Sequence, residues 1–81
     1  MIEENKKPKA RIIGADSNVF NLLGICSRAL KDNGFRNESE EMYKRVTSSK
    51  SYDEALSIMC EYIDPVDQYY NDNDYDEEYE I

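Results

Sequence analysis

Few side chains in this sequence have reactive chemistry, and their spacing suits structural roles better than catalysis. The chain has no histidine. Ser–His–Asp and Cys–His nucleophiles therefore cannot be assembled within it, and a metal site built on His and Cys lacks its usual ligands. No glycine-rich phosphate loop is present. Asp53, Glu54 and Glu61 offer carboxylates for acid–base work, but Asp53 and Glu54 stand where a helix start favours acidic residues. Asp72-Asn73-Asp74-Tyr75-Asp76 alternates oxygen ligands like the opening of a calcium loop. Glu77 stands where that loop needs Gly, and its twelfth position falls beyond Ile81. A solvated acidic run is the expectation there. Asp16-Ser17-Asn18 can offer backbone N–H groups to an anion, yet a helix cap explains it more simply and Asp16 repels anions. Arg28 and Arg36 are expected to pair with acidic neighbours or stay solvated. No catalytic residue, cofactor or metal is therefore expected.

The elements that must position these groups are mainly helical. Val19, Leu22, Leu23, Cys26, Ala29 and Leu30 recur at the three-and-four spacing of a buried helix face. Phe20 and Ile25 widen that stripe, which predicts contact on two sides. Asp16, Ser17 and Asn18 compete for the N-cap, and Gly34 suits the left-handed position after the end. Gly24, unfavourable within a helix, is expected to let another backbone approach. Phe35 is expected to plug the core. Asn37 with Glu40 reads as a capping box that opens a second helix, which buries Met42 and Val46 with Tyr43 beside them. Ser51 with Glu54 is a second box, opening a third helix with Ala55, Leu56, Met59, Cys60 and Ile63 inward and Ile58 or Tyr62 beside them. Asp64-Pro65 stops it. The predicted fold is a small three-helix bundle, about 17–33, 38–47 and 52–63, with one short N-terminal β-type segment, Arg11 to Gly14. That segment needs a pairing partner, be it the tail, a second copy or another protein.

Eighty-one residues make one small domain. The expected division is a flexible arm over 1–10, a helical domain over 11–65 and an acidic, tyrosine-rich tail over 66–81. Cys26 and Cys60 both fall in apolar helical pattern, and a buried thiol pair in a reducing cytoplasm is expected. No apolar run is long enough to span a membrane and no signal peptide is apparent, so a cytoplasmic protein is expected.

Charge is the strongest asymmetry. The chain carries eighteen acidic and ten basic residues. Seven acidic residues and no basic one lie from Asp67 onward, which leaves eleven against ten in 1–66, a net −1. Direct binding to nucleic acid or an anionic membrane is disfavoured by this balance. Tail composition favours disorder when free, while Tyr75 and Tyr79 have the spacing to share a helix face.

Ile12-Ile13-Gly14, then Asp16-Ser17-Asn18 leading to Phe20, Gly24, Arg28-Ala29-Leu30 and Gly34, together with Ser49-Lys50-Ser51-Tyr52-Asp53-Glu54-Ala55-Leu56, resemble small uncharacterised proteins of bacteriophages and mobile elements of Gram-positive bacteria. The resemblance covers about Arg11 to Ile63; those proteins often have Gly where Ser17 stands. It implies a role against host defence and brings no catalytic residue. With the charge pattern, it leads to the expectation of a non-enzymatic inhibitor of a host protein with a basic nucleic-acid-binding groove, of CRISPR-effector or restriction-enzyme type. Asp67, Asp72, Asp74, Asp76, Glu77, Glu78 and Glu80 would imitate phosphates, and Tyr69, Tyr70, Tyr75 and Tyr79 would supply aromatic anchors. The alternative is a small homodimeric binding module with an incidental tail.

Overall fold

In a computed structural model of the chain, residues 2–69 are described. The order is β1 (Lys9–Ile13), α1 (Val19–Asp32), α2 (Arg36–Thr47), α3 (Tyr52–Tyr62) and β2 (Asp64–Asp67), with a 3₁₀ turn at Glu4–Lys6 before β1. The fold is thus mainly helical, with three helices and one two-stranded parallel sheet among the described residues.

α1 is the element that touches α2, α3 and β1 alike. Leu22, Leu23, Cys26 and Leu30 are its buried residues. Leu30 is fully enclosed, which contributes about 1.5–3 kcal/mol relative to an exposed leucine. The cap falls to Asn18, whose Oδ1 accepts the Phe20 N–H at 2.8 Å. Asp16 in turn accepts the Asn18 N–H at 3.1 Å. At the other end the Phe35 N–H reaches the Leu30 carbonyl and the Gly34 N–H the Lys31 carbonyl, at 2.8 and 3.1 Å. This double bond pattern needs a left-handed residue, and Gly34 supplies it with φ +85°.

Two expectations for α1 fail. Phe20 is exposed and does not widen the buried stripe. Among the described residues nothing lies within 4 Å of where a Cβ on Gly24 would stand, so none of their backbone approaches it. α2 also starts earlier than its capping box predicts. Phe35 is both the last residue of the α1 stop and the N-cap of α2, with no side-chain bond at that cap. Ser39 shares the face of Met42 and Val46, three and seven residues on; it is 1% exposed and shares a 2.6 Å hydrogen bond with Ser27 of α1. α3 opens as its sequence predicts: Ser51 Oγ accepts the Glu54 N–H at 3.0 Å. Its buried face is Ala55, Ile58, Met59 and Tyr62. Cys60 lies outside that face and is exposed, so the buried thiol pair is corrected to one buried thiol, Cys26.

β1 finds its partner in the residues just after α3. β1 and β2 run parallel, with Lys9 opposite Asp64, Ala10 opposite Pro65 and Ile13 opposite Asp67. Three residue steps on β1 match two on β2, which is a bulge. A parallel pair needs a long crossover; here all three helices form it. Pro65 cannot donate to a ladder, and a two-stranded sheet has only edge strands, so it is tolerated. Alternation turns Ala10 and Ile12 inward and leaves Ile13 exposed.

Residues 1–10 were expected as a loose arm, but their described part packs on the body. Ile2 joins the core, Pro8 is buried, and Lys7 Nζ donates to the Cys60 carbonyl at 2.9 Å. A cation at the last turn of a helix also meets the negative end of its dipole. Of the segment expected as tail, Val66 and Asp67 belong to β2, and residues 70–81 lie outside the described residues. No helix among the described residues is long and apolar enough to cross a membrane.

Candidate protein-binding surface

The carboxylates singled out for acid–base work are not brought together. Glu54 and Glu61 sit seven residues apart on α3, roughly 10 Å along its axis. Glu54 accepts the Lys50 N–H at 3.1 Å. Glu61 meets Arg45 of α2 at 2.7 Å, and Arg45 also donates to the Tyr62 hydroxyl at 3.1 Å. The guanidinium lies 5.8 Å from the Tyr62 ring centroid. The hydrogen bond from Arg45 is the main reason the Glu61 carboxyl titrates below its ordinary range, and the same bond raises Arg45. This is a clamp between α2 and α3. Among the described residues, no three Cys, Asp or Glu side chains stand together as a metal site would require.

The thiols differ in the same way. Burial pushes Cys26 up to about 12, with the nearby Cys60 adding to it. Cys60 is also raised, first by partial desolvation, against which Lys7 pulls downward. Neither has the lowered value of a nucleophilic thiolate.

The feature most suited to function is an aromatic surface around Phe20. The side chain is 68% exposed, with Tyr43 of α2 and Tyr52 of α3 also exposed. Phe20, Gly24 and Arg28 follow at four-residue steps along one ridge of α1. On one side of that ridge a cleft of about 640 Å³ runs toward Tyr43, floored by Leu23 and rimmed by Lys31 and Asp32. Nearer the N-terminal end of the ridge, and sharing Leu23 with the first, a cleft of about 380 Å³ lies between Phe20, Val46, Tyr52 and Ala55. Gly24 keeps the ridge low between Phe20 and Arg28. An exposed aromatic flanked by two shallow clefts and cationic rims has the composition of a protein contact, where aromatics and Arg are enriched. Sequence periodicity assigned Phe20 to the core because it lies next to the stripe; the open side of α1 could not be foreseen from spacing.

Of the tail residues expected to bind a partner, two are described. Asp67 ends β2 and accepts the Tyr69 N–H on its side chain at 3.0 Å. Tyr69 is 93% exposed. Tyr70, Asp72, Asp74, Tyr75, Asp76, Glu77, Glu78, Tyr79 and Glu80 lie outside the described residues. The Gln68 amide donates to the Arg11 carbonyl, so the chain leaves the sheet at a fixed point beside β1. No family model, curated protein or solved structure matches the chain.

Proposed function

We propose that this chain is a non-catalytic inhibitor from a phage or mobile element, acting in the cytoplasm of the host cell. It captures a host nucleic-acid-processing protein of the CRISPR-effector or restriction-enzyme type. The acidic segment from Asp67 onward occupies the partner's basic groove in place of nucleic acid, and the Phe20 ridge adds apolar contact. The observation that carries the reading is the charge division: seven acidic and no basic residues after Val66, on a body of net −1. Such a segment is drawn to a positive channel at an enhanced rate. The body's resemblance to mobile-element proteins supports the choice of target class.

The test is affinity purification from a host lysate with full-length, 1–69 and Phe20→Asp baits, followed by nucleic-acid competition on the captured protein. A cut after Tyr69 spares β2 and the Gln68 contact. Full-length protein is expected to displace nucleic acid from its partner, with affinity falling steeply as salt rises. A 1–69 protein that competes as well as the full chain would falsify the charge-mimic role.

Exposure of Phe20 between Tyr43 and Tyr52 also favours a second reading, a homodimeric binding module that uses this ridge as its interface. Sedimentation of 1–69 decides it: a concentration-dependent dimer that Phe20→Asp dissociates is expected, and a monomer at all concentrations excludes it.

A further inference from the structure

The groove between α1 and α2 has two ends of different chemistry. At one end Leu23 forms the floor, and Phe20 and Tyr43 are exposed beside it. At the other, a hollow of about 230 Å³ is lined by Ser27, Lys31, Ser39, Glu40, Tyr43 and Lys44. Ser27, Lys31 and Tyr43 line both, so the two ends are continuous. Phe20, Gly24, Ser27 and Lys31 follow at steps of four, three and four residues, and the groove runs along α1 from Phe20 to Lys31, roughly 16 Å.

The second end is rich in donors and short of acceptors. Lys31 and Lys44 are exposed, as is Arg28 on the wall of the apolar end. Among the described residues none of the three makes an ion pair or a side-chain hydrogen bond. Asp32 and Glu40 are the anions on these walls, two against three cations. The Ser27–Ser39 pair adds a further donor. Its two hydroxyls carry two protons and share one bond, and no other acceptor for either lies among the described residues. With Ser39 enclosed and Ser27 half-buried, Ser39 donates to Ser27 and the Ser27 O–H is left for the hollow.

We infer that this groove is the docking site of an acidic helical segment on a partner protein. An apolar side chain of that segment seats over Leu23 between Phe20 and Tyr43, and an Asp or Glu accepts from Ser27, Lys31 and Lys44. Leu23 and Lys31 lie about 12 Å apart along α1. A helix laid in the groove therefore carries the two side chains about seven or eight positions apart. A polyphosphate makes no use of the apolar end, and a chain of net charge −8 repels it. A second copy docked about a two-fold axis centred here sets the same three cations against one another. The inference goes beyond capture through the acidic segment from Asp67 onward, and its test uses no natural partner.

Peptides are selected from a random library on the immobilised full chain. Those enriched are expected to carry an apolar residue with Asp or Glu about seven or eight positions away. Added to isotope-enriched full chain, they should shift the amides of Leu23, Ser27, Lys31 and Tyr43 and leave those of Lys9 to Ile13 in place. Lys31→Gln with Lys44→Gln removes charge at two exposed positions, and peptide affinity is expected to fall at least tenfold. It should also fall for the parent between about 0.1 M and about 1 M salt, where the screening length drops from ~10 to ~3 Å. Selection on Lys31→Glu with Lys44→Glu is expected to enrich Lys or Arg at the same spacing. Enrichment of uncharged or basic peptides on the parent, no enrichment at all, or affinity unchanged in the Gln variant overturns the proposal. A dimer in sedimentation whose interface covers those four amides places a second copy in the groove and also overturns it. Failure here leaves capture through the acidic segment standing, and failure of that capture leaves this groove standing.

Discussion

Removal of either hydroxyl from the Ser27–Ser39 pair should have unequal effects, because the two ends of that bond differ in access to water. Ser39 is 1% exposed, whereas Ser27 is half-buried, and their hydroxyls are 2.6 Å apart. Ser39→Ala loses a bond worth about 1 kcal/mol net. The Ser27 hydroxyl then turns to solvent, and the helix gains about 0.5 kcal/mol in propensity; the expected loss is about 0.5 kcal/mol. Ser27→Ala instead strands the Ser39 hydroxyl in the core, at about 1–3 kcal/mol. Offset by the same propensity gain, the expected loss is about 1.5 kcal/mol, or roughly 6–12 °C in Tm for a domain of this size. Replacing both removes the stranded group and leaves stability near that of the parent. The coupling between the sites is then about 2 kcal/mol. Urea unfolding of the four proteins, followed by circular dichroism, measures the cycle. Equal single losses that sum in the double variant would refute the reasoning and imply that water reaches Ser39.

Other expectations follow from single contacts. Gly24→Ala should raise stability by about 1 kcal/mol, because among the described residues nothing lies within 4 Å of the new methyl; an unchanged or lower urea midpoint would mean that a neighbour closes on the ridge. Under native conditions an alkylating reagent should modify Cys60 alone, and Cys26 only in denaturant; mass spectrometry showing both modified at one rate rejects the buried placement of Cys26. The Glu61 carboxyl is lowered by its bond from Arg45, so its contribution is present above the unfolded value of about 4.3 and is lost as pH falls through the lower folded value. The gap in urea midpoint between parent and Glu61→Gln should therefore shrink between about pH 6 and about pH 3. A gap that stays constant over that range removes Glu61 from the clamp.

Local signals were legible where the bonding partner lies within one turn. The Ser51 cap with the Glu54 N–H, the left-handed Gly34 and the Asp64-Pro65 stop are all short-range, and the structure places each at the predicted helix end. The Asn37–Glu40 capping box failed because a better local solution overlapped it: the α1 stop already positioned Phe35 to begin α2. Among the site residues, the acidic run was visible as composition, while the aromatic ridge was hidden because Phe20 sits beside a true core stripe.

The sequence by itself determined three helices, their approximate ends and the charge excess from Asp67 onward, since each depends on hydrogen bonds and periodicity within a few residues or on simple composition. Tertiary structure alone decided that Lys9–Ile13 pairs with Asp64–Asp67, that Ile2 and Ser39 turn inward, and that Phe20 and Cys60 turn out. Those outcomes depend on which sides of α1 and α3 the other elements cover. Helical spacing marks a face as apolar; it does not say where the covering layer stops.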